Sequence, residues 1–313
     1  MSRGTRVALI GCGRWGANCL RDLKSLGCDV TVVAASQDSL ERARSGGASR
    51  IVSKVAELPD VQGIVVATPT STHGQVVESV LDRGVPVFVE KPLTADPYSA
   101  RRLAEAAPDL IFVMDKWRYH AGVEALRDIA VSGELGPVIG LRSVRAQWNT
   151  NHQDVDGLWI LAPHDLSICL EILGFIPEPS GARGEESGGK AHSLVAFLGD
   201  RPWFVMEISA RYPRYIREIR LVCRDGIAIL EDGYAESIRI FRSTIPEKNE
   251  APAPELRPIS QELPLLKELR AFVEHLNGGP PPRSSAAEGA KIVDTLARLR
   301  EMAGLDRATS AVC

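Results

Sequence analysis

A glycine-rich segment near the start of the chain has the spacing of a dinucleotide-binding turn. Gly11, Gly13 and Gly16 fit the pattern G-x-G-x-x-G, between the apolar run Arg6–Ile10 and a helical pattern over Ala17–Leu26. In this context two glycines let the backbone turn and approach a pyrophosphate, and the third lets helix and strand pack. The helix N-terminus offers N–H groups and partial positive charge to phosphates. The residues predicted to form this nucleotide site are Gly11, Cys12, Gly13, Arg14, Trp15 and Gly16.

The residues after the second predicted strand indicate whether the chain binds NAD(H) or NADP(H). An acidic residue for the adenosine ribose is expected about twenty residues beyond the glycines, but Ser36 and Gln37 hold that place and Asp38 follows. A carboxylate would repel a 2′-phosphate, whereas a serine hydroxyl can donate to it and Arg42 or Arg44 can approach from the next helix. We therefore favour NADP(H) over NAD(H), with contacts from Ser36, Gln37 and Arg42. The alternative is that Asp38 reaches the ribose and the arginines are solvated.

Three further polar segments follow apolar runs or fall in the second half of the chain. They are Thr68-Pro69-Thr70 with His73, Glu90-Lys91-Pro92, and Ala162-Pro163-His164-Asp165. Together with the glycine motif and Trp117-Arg118-Tyr119-His120, their order resembles the Gfo/Idh/MocA oxidoreductase family, named for glucose–fructose oxidoreductase and inositol dehydrogenase. The resemblance spans nearly the whole chain, and Glu-Lys-Pro after a Rossmann strand is its most specific element. The segments Gly11–Asn18 and Trp159–Ser167 are similar to the nucleotide-sugar branch of that family.

The resemblance implies hydride transfer between nicotinamide C4 and a carbon bearing a hydroxyl or ketone, on a sugar, cyclitol or nucleotide-linked sugar. In such enzymes the lysine at position 91 contacts substrate and cofactor, and an ammonium beside the reacting oxygen stabilises alkoxide character. His164 matches the histidine that donates or takes the substrate proton, a task suited to an imidazole near neutral pH. Taken without the resemblance, Lys91 could be an exposed lysine after a strand, and Pro163-His164-Asp165 could be a helix start.

One position departs from the family pattern. Members often carry an aspartate four residues before the histidine, and Ile160 stands there in this chain. Asp154 and Asp156 are alternative partners for the imidazole, and Tyr119 is an alternative acid. The departure also motivates a rival hypothesis, a catalytically silent NADP-binding regulator or subunit. A second rival is a reductase of imines or other non-sugar carbonyls on the same scaffold.

The resemblance also implies contacts around the reacting groups. Thr68, Pro69, Thr70, His73 and Glu90 are expected to lie along the cofactor near the nicotinamide, although His73 could equally be an ordinary first-turn residue of its helix. For the segment Trp117–His120, core packing is a full alternative to substrate contact. The residues expected to line the substrate pocket are Tyr119, Trp148, Asn149, Asp156 and Trp159.

The element pattern places these residues on two domains. Short apolar runs alternate with helical patterns up to about residue 115, which predicts a Rossmann domain with a doubly wound parallel sheet over residues 1–118. Residues 119–313 read as an α+β domain for substrate and oligomerisation, with a largely antiparallel open sheet and two closing helices that could pack back on the first domain. Gly181–Lys190 and Thr244–Pro258 are expected to be surface loops.

Composition narrows the class of protein. The chain has 313 residues, a net charge of −3 and scattered basic residues, so neither nucleic acid nor an anionic membrane is an expected partner. We expect a cytoplasmic protein because no apolar run is long enough for a signal or membrane segment. Six isolated cysteines predict inert thiols and no metal site. An open sheet with one face to cover predicts a homodimer or homotetramer.

Overall fold

The computed structural model describes residues 4–150, 153–242 and 253–305. Its contacts divide the chain into two compact units. One unit comprises the chain up to Lys116 together with Leu263–Val293, and the other comprises Trp117–Glu262 together with the residues from Asp294 onward.

The first unit contains a sheet of six parallel strands in the spatial order β3-β2-β1-β4-β5-β6. Its strands are short and mostly apolar, as expected for strands buried on both faces. The order changes direction between β1 and β4, and ligands of open parallel sheets bind at such a switch point. The strands are β1 (Arg6–Ile10), β2 (Asp29–Val33), β3 (Arg50–Val52), β4 (Gly63–Val66), β5 (Val87–Glu90) and β6 (Ile111–Met114).

Helices connect these strands and confirm the predicted doubly wound domain. They are α1 (Arg14–Ser25), α2 (Gln37–Ser45), α3 (His73–Glu78) and α4 (Pro97–Ala106). The α-helix that begins at His73 is short, and a 3₁₀ turn covers Leu81–Arg83. Ser79 Oγ donates to the carbonyl of Val76 at 2.7 Å, offering the backbone an alternative to continued helix, and Gly84 closes the turn with φ +63°.

The second unit contains an eight-stranded sheet in the order β14-β13-β12-β11-β7-β10-β9-β8. All neighbouring strands are antiparallel except the parallel pair β7 and β10, which confirms the predicted largely antiparallel sheet. The strands are β7 (Val138–Trp148), β8 (Pro179–Ser187), β9 (Lys190–Leu198), β10 (Trp203–Ser209), β11 (Arg211–Cys223), β12 (Gly226–Leu230), β13 (Ser237–Arg242) and β14 (Glu255–Pro258).

Strands β8 and β14 correct the two predicted surface loops. Both lie at the edges of the sheet, where one side of the backbone has no neighbouring strand. Gly and charged residues are compatible with an edge because their side chains face solvent there, and they also deter unwanted pairing. Residues 244–252 of the second predicted loop lie outside the described residues.

Two helices, α5 (Ala121–Ser132) and α6 (Gly157–Leu173), belong to the second unit. Only a helix start at Pro163 was predicted within α6, and that interpretation is wrong because Pro163 lies inside the helix. Most residues of α6 are buried on all sides, so the sequence lacks the amphipathic 3.6-residue pattern that reveals a surface helix. Asp156 is the N-cap of α6, and its Oδ1 accepts from Leu158 N at 3.0 Å and from Trp159 N at 3.4 Å.

The closing helices are α7 (Pro264–Leu276) and α8 (Ala286–Met302). Pro264 starts α7, whose Leu265, Leu269 and Phe272 enter the core of the first unit. The Phe272 ring stacks on that of Phe88 in β5, with centroids 4.9 Å apart. At the start of α8, Ser285 and Glu288 exchange hydrogen bonds in a capping box.

Candidate functional site

The glycine turn brings α1 against the end of β1. Gly11 has φ +91°, a conformation that glycine adopts at little cost. A Cβ on Gly16 would lie 2.2 Å from the carbonyl oxygen of Gly11, and one on Gly11 would lie 2.7 Å from that of Ala67. A Cβ on Gly13 would meet nothing within 4 Å. Gly11 and Gly16 are therefore required by packing, while the space above Gly13 is open.

The start of α1 suits a phosphate. Its N-cap, Gly13, supplies no side-chain hydrogen bond, and the first turn contains no acidic residue. The N–H groups there have no side-chain acceptor among the described residues, and the helix dipole favours a negative group at that end. Cys12 N donates to Ser39 Oγ at 3.1 Å, which ties the turn to α2. These features fit a dinucleotide pyrophosphate.

The predicted ribose contacts lie at the start of α2. Ser36 is its N-cap, and its hydroxyl oxygen accepts from Ser39 N at 3.2 Å. The hydroxyl proton stays available, because a serine can donate one hydrogen bond while accepting others. Arg42 forms an exposed ion pair with Asp38 at 3.5 Å, and Gln37 bonds to Glu41 at 2.9 Å. The first acidic residue after β2 is thus already engaged with an arginine.

His73 connects the two loops that carry predicted cofactor contacts. The ring is fully buried, with Nε2 3.0 Å from the Thr68 carbonyl oxygen and Nδ1 2.8 Å from that of Pro92. Thr68 Oγ1 accepts from Thr72 at 2.9 Å, and Thr70 is buried in the same turn. His73 therefore holds the loop after β4 to the loop after β5. The prediction that His73 lies along the cofactor stays a prediction, and the structure adds this link between the two loops.

Lys91 follows β5 and is 94% buried, with a relative exposure of 6%. This corrects the alternative of an exposed lysine. The neighbouring Glu90 has a pKa raised by burial, and the ammonium groups of Lys91 and Lys116 oppose that rise. Lys116 Nζ lies 4.4 Å above the Trp15 ring centroid, a cation–π contact that ties the end of β6 to the start of α1.

His164 is half-buried on α6 of the second unit. The structure places Ile160 one helical turn earlier with 7% exposure, in the position where the resemblance implies an aspartate. The following residue, Asp165, forms a buried salt bridge with Arg145 of β7. Its carboxylate is therefore committed to an arginine and structural in role.

The segment from Trp117 to His120 packs inside the second unit. The rings of Trp117 and His120 stack with centroids 4.9 Å apart, and Arg145 Cζ lies 4.5 Å over the Trp117 ring. Arg118 Nε bonds to Glu171 at 2.9 Å, and Tyr119 is buried. These contacts favour the packing alternative for this segment.

The remaining residues that were predicted to contact substrate make separate local contacts in the second unit. Asp156 caps α6 and pairs with Arg300 at 2.9 Å, so its oxygens are occupied. Arg300 also covers the Trp159 ring, at 5.5 Å from its centroid. Trp148 is 69% exposed at the end of β7. Asn149 has φ +65°, which asparagine tolerates better than most residues, and its Oδ1 accepts from Thr150 N at 2.7 Å.

Several charged residues of the interior were not found from the sequence. Arg145 and Arg217 are cross-strand neighbours on β7 and β11, and Glu268 is fully buried on α7. Burial and the charge of Arg145 lower the pKa of Arg217 to about 10. For the two arginines, the only available signal was a polar residue at an inward position of an alternating strand. That signal is weak, since spacing alone does not distinguish a buried arginine from an exposed one.

The cysteines and the potential metal ligands form neither a disulfide nor a metal site within the described part of the chain. Five cysteines are free and buried, and Cys313 lies outside the described residues. Burial raises the pKa of Cys28 and of Cys223 to about 11, which leaves both protonated near neutral pH. No group of three or more His, Cys, Asp or Glu side chains is placed to hold a metal ion within residues 4–150, 153–242 and 253–305. No described helix is long and apolar enough to cross a bilayer.

The fold and the glycine turn define the class of dinucleotide-binding Rossmann proteins. Residues 5–110 match the profile of a family described as "Oxidoreductase family, NAD-binding Rossmann fold". Residues 5–110 are thus similar to the dinucleotide-binding domain of the Gfo/Idh/MocA oxidoreductases, which confirms the predicted resemblance over that part of the chain.

Comparison with known proteins supports this assignment over different lengths. An inositol 2-dehydrogenase from Renibacterium salmoninarum is 32% identical over 154 residues, which is 46% of this chain and 46% of that protein. The chain thus spans less than half the length of this relative in the match.

Two solved structures share the fold at lower identity. A UDP-N-acetylglucosamine 3-dehydrogenase from Acidithiobacillus ferrooxidans is 23% identical, covering 97% of this chain and 99% of that one, with a TM-score of 0.83. An oxidoreductase from Agrobacterium radiobacter, in complex with NAD+, L-tartaric acid and magnesium, is 18% identical, covering 96% of each chain, with a TM-score of 0.81.

Substitution of the glycines separates folding from cofactor binding. Gly16→Ala should lower the unfolding midpoint because its Cβ cannot fit beside the Gly11 carbonyl. Gly13→Ala should cost less stability than Gly16→Ala, about 0.5–1 kcal/mol because alanine is a poorer N-cap than glycine, but weaken dinucleotide binding because the methyl group occupies the open space at the helix N-terminus. Thermal unfolding and titration calorimetry with NAD(P)H measure the two effects. Equal binding by Gly13→Ala and the native chain would contradict the assigned phosphate position.

Proposed function

We propose that the chain is an NAD(P)-dependent oxidoreductase that transfers a hydride between nicotinamide C4 and a hydroxyl or ketone carbon of a sugar or nucleotide-linked sugar. The observation that carries this proposal is the buried Lys91 beside Glu90 at the carboxyl end of β5, in a sheet whose first strand–helix turn is the glycine motif. A buried ammonium is costly unless a charge or ligand compensates it. Ligands of this architecture bind at that edge of the sheet.

The names of relatives agree on the substrate class. The matched proteins include inositol 2-dehydrogenases, a UDP-N-acetylglucosamine 3-dehydrogenase and a levoglucosan dehydrogenase. Each of these names is that of a dehydrogenase of a polyhydroxylated ring compound. For this chain we therefore propose a polyhydroxylated ring as substrate.

The two proposed catalytic side chains have complementary tasks. When bound, the nicotinamide ring supplies the hydride acceptor or donor at C4. The Lys91 ammonium stabilises negative charge on the reacting oxygen as the carbon changes between alcohol and ketone. The His164 imidazole takes the hydroxyl proton in the oxidation direction and returns it in the reduction direction. Ile160 leaves His164 without the family's carboxylate on the preceding turn.

A second candidate function is a catalytically silent dinucleotide-binding regulator. Ile160 favours it, because an isoleucine can neither orient an imidazole nor pass on its proton. The two functions differ in turnover alone, since both require the glycine turn and the phosphate position.

Activity assays on paired variants test the enzyme proposal. The purified chain is assayed with NAD(P)+ and myo-inositol, UDP-N-acetylglucosamine and free hexoses. Lys91→Ala and His164→Ala should each lower kcat/KM by about 10²–10⁴-fold, as loss of a charge stabiliser or a general acid–base does. Lys54→Ala and His192→Ala make the same changes outside the proposed site and should retain activity. Dinucleotide binding without turnover of any ring substrate would favour the silent regulator.

We propose that the cofactor preference is NADP(H) over NAD(H). Its support is the Ser36 hydroxyl at the start of α2, where the helix dipole favours a 2′-phosphate, and the pairing of Asp38 with Arg42. The residues Ser36, Gln37 and Arg42 are the proposed contacts.

Substitution of Ser36 tests this preference while keeping the helix cap. Ser36→Asp places a carboxylate where the 2′-phosphate would lie, and Asp is as good an N-cap as Ser. NADPH should bind at least tenfold more weakly to Ser36→Asp, with little change for NADH, as measured by fluorescence titration. Ser36→Asn keeps a neutral cap and should show a smaller loss. A native chain that binds NADH more tightly than NADPH would overturn the preference.

We also propose that the chain forms a homodimer or homotetramer through one face of the second unit's sheet. On β9, Leu194 and Ala196 are buried, while the alternate residues Val195 and Phe197 are 36% and 50% exposed. Phe197 pairs across the strands with Val205, which is also partly exposed. Apolar residues grouped on a sheet face are typical of a surface that another subunit covers.

A charge on this face should dissociate the oligomer. Phe197→Glu is expected to shift the species seen in sedimentation velocity toward the monomer, because an ionised carboxylate is costly in an apolar interface. Phe175→Glu makes the same change at a residue of similar exposure, 48%, and should keep the native assembly. A monomeric native chain, or an unchanged Phe197→Glu assembly, would show that this face is not the interface.

A further inference from the structure

Strand β11 is interrupted by a wide bulge near its start. In its pairing with β7, no residue between Arg211 and Ile216 has a partner, so residues 212–215 lie opposite Gln147 alone. This β11 bulge, residues 212–215, has the sequence Tyr-Pro-Arg-Tyr. Pro213 is compatible with it because proline cannot donate a hydrogen bond to a neighbouring strand. Bulges often redirect side chains next to functional sites, so these residues are candidates for contacts outside the sheet.

Arg217 lies under the β11 bulge and braces it. The side chain has a relative exposure of only 5%, and its Cζ lies 3.9 Å from the centroid of the Tyr215 ring, a cation–π contact. Nη1 donates to the carbonyls of Ala146 at 3.0 Å and Ile216 at 2.6 Å, and Nη2 donates to the Gln147 side chain. One face of the Tyr215 ring is therefore held against the guanidinium, while Tyr215 as a whole stays 53% exposed.

The positive charge around the bulge exceeds the negative charge that meets it. Arg145 is the cross-strand neighbour of Arg217 and pairs with Asp165. Arg217 forms no ion pair within the described residues, and its Nε has no hydrogen-bond acceptor there. Arg214 of the bulge is exposed and also lacks an ion pair in the described chain, and its Nη2 donates to the Tyr212 hydroxyl at 3.4 Å. Three guanidinium groups thus share one carboxylate, which favours an anionic ligand.

The bulge is linked by successive contacts to the proposed acid–base residue of the second unit. Asp165 follows His164 on α6, and its salt bridge with Arg145 holds that turn of α6 against β7. Arg217 lies beside Arg145 across the strands and contacts Tyr215. The bulge is therefore placed to meet a part of the substrate other than the reacting carbon.

An exposed aromatic face beside an exposed guanidinium matches the chemistry of a nucleotide. A tyrosine ring can stack on a nucleobase of any type. A guanidinium forms paired hydrogen bonds with phosphate oxygens. A free cyclitol or hexose offers neither partner. A nucleic acid strand needs a longer basic groove than one bulge of four residues, and the net charge of the chain is −3.

We propose that the β11 bulge binds the nucleoside diphosphate part of a nucleotide-linked ring substrate, with Tyr215 stacking on the base and Arg214 pairing with the diphosphate. Arg217 is the positioning residue that holds Tyr215. The inference rests on the proposed function for the reaction, but the binding itself does not require turnover. It narrows the substrate from polyhydroxylated rings in general to rings that carry a nucleotide.

Binding of nucleoside diphosphates tests the inference directly. The full chain is titrated with UDP and with GDP by calorimetry, in excess NADPH so that the dinucleotide site of the first unit is filled. At least one of them should bind more tightly than its nucleoside and more tightly than pyrophosphate, because base and diphosphate are both recognised. Absence of binding by both, or binding of pyrophosphate as tight as theirs, would overturn the inference.

Variants of Tyr215 locate the bound base. Tyr215→Ala should weaken nucleoside diphosphate binding about tenfold, as expected for loss of one stacking contact, while Tyr215→Phe keeps the ring and should keep the native affinity. Tyr98→Ala is the matched control, because Tyr98 is also exposed and its ring centroid lies 6.0 Å from Cζ of an arginine, Arg102. Equal binding by Tyr215→Ala and the native chain would place the ligand elsewhere and refute the assignment.

The contact of Arg214 with the diphosphate should be visible in the response to salt. Arg214→Gln should weaken UDP or GDP binding about fivefold, the upper range for an exposed ion pair, and should reduce the loss of affinity on adding NaCl, because salt screens exposed charges. Arg183→Gln is the matched control, since Arg183 is an exposed arginine of β8 without an ion pair among the described residues. An unchanged salt dependence in Arg214→Gln would contradict the diphosphate contact.

Turnover separates this inference from the proposed function. With a nucleotide-linked sugar, Tyr215→Ala should lower kcat/KM mainly through a higher KM, and it should leave kcat/KM for a free hexose unchanged. Binding of UDP or GDP at the bulge without turnover of any ring would support the inference and favour the silent regulator. Turnover of free hexoses by a chain that binds neither UDP nor GDP would support the enzyme proposal and overturn the role of the bulge.

Discussion

The first unit depends on one close approach, that of the α1 backbone to the carbonyl of Gly11. The 2.2 Å between that oxygen and a Cβ built on Gly16 leaves room for hydrogen only. Because α1 sits so near the end of β1, its first N–H groups open at the switch point between β1 and β4. Thr68 and Lys91 follow the adjacent strands β4 and β5 and so reach the same edge of the sheet. The packing of two glycines thus decides where the chemistry of this unit is found.

Charge compensation organises the interiors of both units, by different means. In the second unit, buried arginines meet carboxylates directly, as Arg145 does with Asp165 and Arg118 with Glu171. Such pairs recover the desolvation cost only with good geometry, but removal of one partner is expensive, so they fix the arrangement of strands and α6. In the first unit, the buried Lys91 follows Glu90, whose pKa is raised by burial, while the ammonium groups of Lys91 and Lys116 oppose that rise. Direct ion pairs therefore dominate the interior of the second unit, whereas at Glu90 in the first unit burial outweighs the nearby positive charges.

The sequence was sufficient for the features that depend on local spacing. The glycine motif, the strand Arg6–Ile10 before it and the parallel sheet were predicted as observed, because periodicity and turn residues act over a few positions. It failed where the determining contacts are distant in sequence. Helix α6 is apolar on all sides and has no period to detect, and edge strands β8 and β14 have the composition of loops. Asp156 was predicted to face substrate, yet its partner Arg300 is 144 positions away, a pairing that no local pattern encodes.

The ring of His73 has a further consequence for the loop that bears Lys91. Both of its nitrogens face carbonyl oxygens, at 2.8 and 3.0 Å, and a carbonyl can only accept. A neutral imidazole owns a single N–H and so can satisfy one of these oxygens at a time, whereas the imidazolium satisfies both. The tautomer of this ring therefore decides which of the two loops, that after β4 or that after β5, receives its N–H donor.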